Sequence, residues 1–344
     1  MGVDEVVKPA FAHARWLMQQ HRHDDAIDLL VAQLKQGSDV QLERLLAECR
    51  YLAYVQHPPQ PSAAEAKFDA WPDPFADCVG VPEIAADELD ARTLAAGIQH
   101  HGALLVRGLL AVSHAEALAE GIRHAIDACA AWRMQGQGEF PSPWYARLPL
   151  HDGCDLAMAR DWIEGAGGVW TADSPRLLHE VTRLFEERGL IDVIAGYFGE
   201  RPMLSVGKST LRCVPSTQCE ADWHQDGAFM GEHIRSVNLW LSLSHCGKDA
   251  SGLELLPRRL SRVLPTGTHG ANFSWSVGPG MVQEAAEGLA TVSPRFAPGD
   301  AMLFDHLFLH RTGVPVGISK DRYAIESWFF APSAYPAQQV PLRL

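Results

Sequence analysis

Three residues of the kind that bind metal ions are spaced so unevenly along the chain that they restrict its fold. His224 and Asp226 are separated by one residue in WHQDG, whereas His310 follows 84 positions after Asp226 (310 − 226). In an extended strand, side chains at positions i and i+2 leave the same face, so one strand can direct His224 and Asp226 toward one ion. The third ligand then has to come from a distant strand, and a β-barrel or sandwich brings such strands together.

Two imidazoles and one carboxylate form the ligand set that binds non-haem Fe(II) and leaves coordination positions open. The candidate catalytic and metal-ligating residues are therefore His224, Asp226 and His310, called the triad below. Arg322 in RYAIESWFF follows the second histidine, where a guanidinium can hold a dicarboxylic co-substrate by a two-pronged contact. This set predicts an iron enzyme that activates oxygen.

Other histidines and arginines offer competing assignments. His23 and Asp25 repeat the H-x-D spacing, but they lie in a helical pattern, where side chains two residues apart point about 200° apart. His306 and His310 would form a zinc pair on a helix. The preceding PGD turn favours a strand instead, which leaves His306 either as a group that supports the metal site or as a packed or solvent-facing histidine. Arg311 is the rival carboxylate anchor, but neighbours on a strand face opposite ways.

The C-terminal part of the chain contains several short strand-like segments separated by turn signals. Such spacing favours an all-β barrel or sandwich with helices on one side, and hence an α+β fold. A further strand, GALLVRGLL, lies upstream, and one long helix is predicted near 176–198. The predicted strands of the barrel are SVGKSTLRCV, ADWHQDG, SVNLWLSLSHC, LELLP, RFAP, AMLFDHLFLH and RYAIESWFF.

Residues 1–56 form a small all-α segment by pattern. Apolar residues recur at three- and four-residue spacing from about 8 to 56, and GSD provides a helix end and a new N-cap. The turn HRHDDAI resembles the corner of a tetratricopeptide-like hairpin. The Pro/Ala-rich residues 57–75 read as a linker, and residues 76–344 as the main domain. The helices pack on that domain or on a second subunit, as in a homo-oligomer, or they dock a partner.

Residues 132–175 are irregular and rich in large aromatic side chains among glycines and prolines. Such residues form either a substrate lid or plugs of the core. The residues concerned are Trp132, Trp144, Tyr145, Trp162 and Trp170.

The composition excludes several classes of function. The formal net charge is −13, which argues against nucleic-acid binding and against docking on anionic membranes, because both need a basic surface. No apolar run reaches membrane-spanning length, and the acidic N-terminus lacks the apolar core of a signal peptide. The seven cysteines form no C-x-x-C pair, which fits a reducing compartment. We expect a soluble, cytoplasmic protein that acts on a small-molecule substrate.

From about residue 91 onward, over roughly the last two-thirds of the chain, the sequence resembles the phytanoyl-CoA dioxygenase family. The matching segments are GALLVRGLL, WHQDGAF, VNLWLSL, SGLELLP, PGDAMLF, HRTG and RYAI. Members of that family are Fe(II)- and 2-oxoglutarate-dependent oxygenases on a double-stranded β-helix, a jelly-roll or cupin-like core with flanking helices. The resemblance therefore implies Fe(II), 2-oxoglutarate as co-substrate and molecular oxygen.

Residue by residue, the resemblance assigns iron to the triad and the distal carboxylate of 2-oxoglutarate to Arg322. It places Thr312, Trp240 and Asn238 in the co-substrate pocket. Asp226 also bears on the reaction, because relatives that transfer halogen have a small residue there. The retained acid implies hydroxylation of an unactivated C–H, or another outcome of hydrogen abstraction such as desaturation, with release of succinate and CO2.

The substrate class does not follow from the resemblance. This chain has Pro257 followed by two arginines where many relatives have Gly-Ser-His, in a loop that often touches substrate. Lys208, Thr210 and Arg212 alternate along one strand, either as a basic mouth for an anionic or carrier-bound substrate or as a solvated face. Two other readings stay open: an idle scaffold that acts through its N-terminal helices, and a metal-dependent hydrolase that uses zinc.

Overall fold

The structure is a computed structural model that describes residues 3–56, 72–135, 142–151, 157–217, 221–336 and 338–344. The linker predicted at 57–75 therefore lies outside the described residues, apart from 72–75. The helices are α1 Val3–Gln19, α2 His23–Leu34, α3 Val40–Gln56, α4 Ala91–Ala96, α5 Val112–Met134, α6 Ala157–Gly165, α7 Pro175–Glu187, α8 Leu190–Phe198, α9 Gly227–Met230 and α10 Pro279–Ala286. The strands are β1 Glu83–Ala85, β2 Ala103–Arg107, β3 Gly168–Trp170, β4 Met203–Ser205, β5 Thr210–Val214, β6 Ser236–Ser242, β7 Gly252–Leu255, β8 Ala301–Phe304, β9 His310–Gly313, β10 Arg322–Phe330 and β11 Pro341–Arg343.

Two sheets form the β part of this α+β fold. The larger sheet has the order β1-β2-β8-β6-β10-β4-β11, and β5 also pairs with β10 and carries β3 at its other edge. The smaller sheet pairs β7 with β9. Single bridges extend it on both sides, from His224 to His310 and from Leu255 to Val292. Four segments distant in sequence thus lie side by side around His310.

The alternation of side chains along the strands separates two apolar layers. On β6, Val237 and Leu239 pack in the large core with the helices behind the sheet. Trp240 points the other way and shares a second core with Leu255 of the smaller sheet and with Phe296, whose ring lies 4.8 Å from that of Trp240. This period-two pattern is what a sheet packed on both faces requires. The two sheets therefore enclose a common interior.

Two elements predicted as continuous are interrupted. The long helix near 176–198 is two helices, because Gly189 adopts a left-handed φ of 66° between α7 and α8. The predicted strand AMLFDHLFLH is also two strands, β8 and β9. The Asp305 carboxylate accepts a hydrogen bond from the Leu307 backbone N–H (3.0 Å), which closes a turn between them. Aspartate commonly stabilises turns in this way.

The N-terminal helices pack on the main domain. Asp39 caps α3 by accepting from the backbone N–H groups of Gln41 and Leu42, as the GSD signal predicts. Glu43 of α3 is paired with Arg176 of α7 at 2.5 Å, and other α3 residues belong to the core of the main domain. Of the two packing alternatives for this segment, contact with the main domain is therefore present; partner docking remains a prediction.

Four of the five aromatic side chains singled out in the segment 132–175 pack in or against the core. Tyr145 and Trp170 are fully buried, whereas Trp162 is exposed. Tyr145 donates a hydrogen bond to Glu164 (2.7 Å), which satisfies its hydroxyl. In the part of the chain that the structure describes, no helix is long and apolar enough to cross a membrane.

Candidate active site

The triad converges in the interior between the sheets. His224 and His310 exchange two backbone hydrogen bonds (3.0 and 3.1 Å), which sets their rings 4.4 Å apart. Asp226 reaches them from the adjoining turn, with Oδ2 at 3.7 Å from His310 Nε2. One ligand atom from each residue lies within 4.8 Å of the others, and within the described ranges no second such group of His, Cys, Asp or Glu is found. The spacing suits a single ion.

The prediction that one continuous strand carries His224 and Asp226 is wrong. His224 makes only an isolated bridge. Asp226 has helical dihedrals (φ −64°, ψ −22°) and precedes the short helix α9. A turn therefore aims the carboxylate, and the i/i+2 rule for strands does not apply to this pair.

Buried contacts hold that turn in place. The Gln225 side chain, fully buried between the two ligands, donates to the Leu307 carbonyl (2.6 Å) and accepts from the Leu264 backbone N–H (2.7 Å). The Gly227 N–H donates to the His306 carbonyl (2.8 Å). A Cβ at Gly227 would lie 3.1 Å from that oxygen, which is why glycine fits here. Sequence analysis missed the function of Gln225, because a buried amide has no sequence signal.

Both imidazoles are oriented by backbone carbonyls. The Nδ1 of His224 lies 3.0 Å from the Asp222 carbonyl oxygen, and the Nδ1 of His310 lies 3.0 Å from that of Phe308. A carbonyl only accepts, so each Nδ1 is the protonated donor. Each Nε2 then keeps a lone pair for a metal, an arrangement typical of metal-ligating histidines.

Lys208 completes the environment of the Asp226 carboxylate. Its Nζ lies 2.5 Å from Asp226 Oδ1, which leaves Oδ2 toward His310. Burial favours the neutral acid, but Lys208 and the two imidazoles outweigh burial and hold the pKa of the Asp226 carboxyl well below its usual range. Burial and the neighbouring His224 lower the pKa of His310 to about 4, against the opposing effect of Asp226. At neutral pH the site thus offers an anionic oxygen and an unprotonated His310.

Arg322 is a buried cation that forms no ion pair with any residue that the structure describes. It is 2% exposed, and burial lowers the pKa of Arg322 to about 10. Its Nη1 donates to the Gly252 carbonyl (2.9 Å), whereas its Nε has no hydrogen-bond partner. No carboxylate of the described residues lies within ion-pair distance of it. A buried charge in this state is unfavourable unless a ligand neutralises it.

The other predicted co-substrate residues surround Arg322 or the triad. Trp240 faces the guanidinium, with 5.5 Å from ring centroid to Cζ. Thr312 shares the face of His310 by alternation on β9. Asn238 is buried beside Phe304, and its Oδ1 lacks a partner. These residues lie on interior faces of both sheets.

Arg212 is a second guanidinium in the same interior. It opposes Ala324, two residues from Arg322, so the two arginines are diagonal neighbours on adjacent strands. The Nε of Arg212 is also buried and without a partner. Of the residues predicted as a basic strand face, Arg212 therefore adjoins the proposed co-substrate anchor, and Lys208 adjoins a metal ligand.

The competing residues lie elsewhere or have other partners. Arg311 is paired with Glu254 across the smaller sheet (2.8 Å), on the face opposite to His310. His306 is a packed histidine: its Nδ1 contacts the Ser236 hydroxyl (2.9 Å) and its Nε2 the Glu232 carbonyl (3.0 Å). Both assignments agree with the alternatives weighed from the sequence.

The decoy pair lies in a helix. His23 is the first residue of α2, and the Asp25 carboxylate forms an ion pair with the Arg22 guanidinium (2.6 Å). The helical geometry expected of this second H-x-D is therefore present.

Sequence analysis also missed an aromatic group beside His224. Phe229 of α9 and Trp275 of the loop before α10 lie 6.4 and 6.3 Å from its imidazole, measured between ring centroids. Phe273 stacks on Trp275. These residues come from two segments without periodic pattern, so only the folded chain brings them together.

No family model and no curated protein matches this chain. Among solved structures it is similar to EctD from S. alaskensis with 2-oxoglutarate and 5-hydroxyectoine (16% identity, 79% of this chain and 82% of that chain, TM-score 0.49). It is also similar to the epimerase SnoN in complex with Fe3+, alpha ketoglutarate and nogalamycin RO (17%, 72% and 86%, 0.45), and to the apo non-heme monooxygenase ThoJ (16%, 73% and 84%, 0.48). At these values the likeness assigns no ligand to this chain, whose chemistry rests on its own side chains.

Proposed function

We propose that this protein is an Fe(II)- and 2-oxoglutarate-dependent oxygenase that hydroxylates a C–H of a small-molecule or carrier-bound metabolite. One observation carries the proposal: two histidines and a carboxylate converge in an interior that also holds Arg322, a buried arginine with no ion-pair partner in the described part of the chain. The two histidines and the carboxylate fit non-haem iron, and the buried guanidinium of Arg322 fits a dicarboxylate.

The donor set fits Fe(II) on chemical grounds. The oriented Nε2 atoms and one oxygen of Asp226 form a facial set of three, which leaves the remaining positions of an octahedral ion for other ligands. Lys208 engages the other carboxylate oxygen, so Asp226 would bind through one oxygen. Phe304 and Phe308 lie against His310, with ring centroids at 4.7 and 6.3 Å, and shield this side from water.

The interior also fits 2-oxoglutarate. The orphaned Nε atoms of Arg322 and Arg212 show that donors and positive charge are present without an acceptor. A distal carboxylate beside Arg322 would neutralise this charge, while Trp240 covers the guanidinium from one side. Iron and 2-oxoglutarate, when bound, supply oxygen activation coupled to the loss of CO2. The chain holds the co-substrate, orients the metal ligands and excludes water.

The strand order supports a double-stranded β-helix. In the larger sheet, β5, β10, β6 and β8 are consecutive neighbours. In the smaller sheet, the segments of His224, β9, β7 and Val292 are consecutive neighbours. Two facing four-stranded sheets with metal ligands on the smaller one are the arrangement that the resemblance implies. We propose this fold, and with it membership of the oxygenase superfamily.

The two alternative functions explain less. A zinc hydrolase would use the triad with an activated water, but it gives no reason for an unpaired arginine in the same interior. An idle scaffold gives no reason for the burial of Arg322, since a buried guanidinium is costly without an anionic partner.

Anaerobic difference spectroscopy tests the proposal. Addition of Fe(II) and 2-oxoglutarate to the full-length protein should produce the visible charge-transfer absorption of a chelated 2-oxo acid. The controls are 2-oxobutyrate, which lacks the distal carboxylate and should bind much more weakly, and the His310→Ala variant, which should give no band. Absence of the band in the parent protein at saturating iron would refute the proposal. Succinate formation on admission of oxygen would separate the oxygenase from the idle scaffold.

A further inference from the structure

Three exposed aromatic side chains form one group beside the triad. Phe229, Phe273 and Trp275 are 44%, 53% and 37% exposed. Phe273 and Trp275 stack with ring planes 6° apart and centroids at 5.4 Å, and Phe229 lies 5.8 Å from Trp275. These three residues are called the aromatic rim below. Contiguous exposed apolar surface of this kind usually has a binding function.

The rim borders a metal ligand directly. Trp275 meets the His224 imidazole edge-on (77°, 6.3 Å), and Phe229 meets it from α9 at 6.4 Å. Phe229 follows Asp226 by three residues, so the turn that aims the carboxylate also places this ring. A compound in contact with the rim would therefore lie against the imidazole of a proposed metal ligand, beside the place where a reacting C–H has to lie.

A backbone hydrogen bond attaches the loop that carries Phe273 and Trp275 to the residue before His224. The Val277 N–H donates to the Trp223 carbonyl (2.8 Å), and Ser276 is fully buried beneath the loop. Gly278 packs so closely that a Cβ there would lie 2.2 Å from the Thr268 carbonyl oxygen. The two exposed rings are thus held in position, and a ligand would meet a preformed surface.

We propose that the aromatic rim binds the substrate through a flat, unsaturated ring system, so that the substrate is an aromatic or conjugated ring compound. This inference rests on the proposed oxygenase function and names its substrate class. Stacked or edge-on ring pairs add about 0.5–1.5 kcal/mol each beyond burial. A polar chain without rings would leave three aromatic faces in contact with water.

Two other occupants fit the rim less well. An aromatic cage for an ammonium group is disfavoured, because the Lys208 ammonium already lies 5.6 Å from the Phe229 ring centroid and would repel a second cation. A protein partner needs on the order of 1,000 Å² of complementary surface. Three side chains around a metal ligand are far smaller than that.

The test uses the full-length protein loaded with Mn(II), whose unpaired electrons relax nearby protons. The probe is 2-naphthol, and the matched non-planar compound is its saturated analogue decahydro-2-naphthol, which has the same carbon skeleton. With 2-oxoglutarate present, the naphthol protons should relax about fivefold more strongly than those of decahydro-2-naphthol, as one ring-stacking contact would give. Trp275→Ala should lower the naphthol effect about fivefold, whereas Trp275→Phe should retain most of it. Trp162→Ala, which removes an exposed ring outside the rim, should change nothing.

Water relaxation in the same samples reports whether Mn(II) is bound and whether 2-oxoglutarate displaces its water. If Mn(II) and 2-oxoglutarate bind but the protons of decahydro-2-naphthol relax as strongly as those of 2-naphthol, or if Trp275→Ala has no effect, the rim inference is wrong and the proposed function stands. If Mn(II) binds but 2-oxoglutarate displaces no water, the proposed function fails and the inference fails with it. Retained Mn(II) binding by the Trp275 variants shows that they are folded.

Discussion

Replacement of Arg322 by methionine tests the co-substrate assignment most sharply. Methionine has a similar length and no charge, so the change removes the guanidinium without opening a large cavity. The side chain to be removed is 2% exposed, and its one described hydrogen bond is to the Gly252 carbonyl. Arg311→Met is the matched control, because Arg311 is adjacent to a triad residue but pairs with Glu254 on the outer face.

The expected loss of 2-oxoglutarate affinity follows from the burial of Arg322. Loss of one partner of a buried charge pair costs about 2–5 kcal/mol, so the dissociation constant of 2-oxoglutarate should rise by about 30-fold to several thousand-fold. In the absence of 2-oxoglutarate, the same substitution should raise the stability of the folded protein. Burial lowers the pKa of Arg322 to about 10, so at neutral pH the charged form destabilises the folded state by about 3 kcal/mol. That penalty begins to fall only as the pH rises through about 10 and disappears at the higher pKa of the unfolded chain, whereas Arg322→Met removes it at every pH.

Titration calorimetry with Mn(II)-loaded protein gives the dissociation constants, and melting curves with and without 2-oxoglutarate give the stabilities. The Arg322 variant should melt at the same or a higher temperature without ligand and gain little from 2-oxoglutarate, whereas the parent and Arg311→Met should gain equally. A larger loss of affinity in Arg311→Met than in Arg322→Met would refute the reasoning, and it would mean that β9 is displaced by one residue.

Three further predictions concern metal and pH. Alanine at His224, Asp226 or His310 should abolish both Mn(II) binding and turnover at unchanged circular dichroism; full activity of the His224 variant would contradict the ligand assignment. The pKa of His310 is about 4, below its unfolded value of 6.5, so its contribution to the free energy of unfolding of the metal-free protein is present above about pH 6.5 and is lost as the pH falls toward 4. Urea unfolding should show a loss of up to about 3 kcal/mol over that interval, and His310→Gln should reduce it. The double variant His23→Ala/Asp25→Ala should bind the same amount of metal; a lower content by elemental analysis would overturn the helical assignment.

The sequence predicted best what depends on alternation along strands. Arg322 and Arg311 were distinguished by the rule that neighbours face opposite ways, and the structure places Arg311 with Glu254 outside and Arg322 inside. The α3 cap at Asp39 was equally predictable, because capping is a local interaction. Such features need only a few consecutive residues and a regular backbone.

The sequence predicted poorly what depends on tertiary contacts. The strand expected through WHQDG is replaced by a turn because Gly227 packs against His306, 79 residues away (306 − 227). The break between β8 and β9 depends on a local aspartate turn inside an apolar run that reads as one strand. The aromatic rim combines a helix and a loop without pattern. In the first and third cases the deciding contact lies outside any window of sequence in which periodicity is visible, and in the second the turn is hidden by the apolar residues on both sides of Asp305.

The charges of the interior favour binding of the proposed metal together with the proposed co-substrate. Lys208, Arg212 and Arg322 bring three formal positive charges, whereas Asp226 and Glu326 bring two negative ones. Fe(II) alone would add two positive charges to this low-dielectric space, and the 2-oxoglutarate dianion alone would add two negative ones. Both together leave the net charge unchanged, and each approaches side chains of opposite sign: the ion meets Asp226 and the dianion meets Arg322. Because uncompensated charge is costly in such an interior, the same residues that fit each group separately favour an enzyme in which the two are bound together.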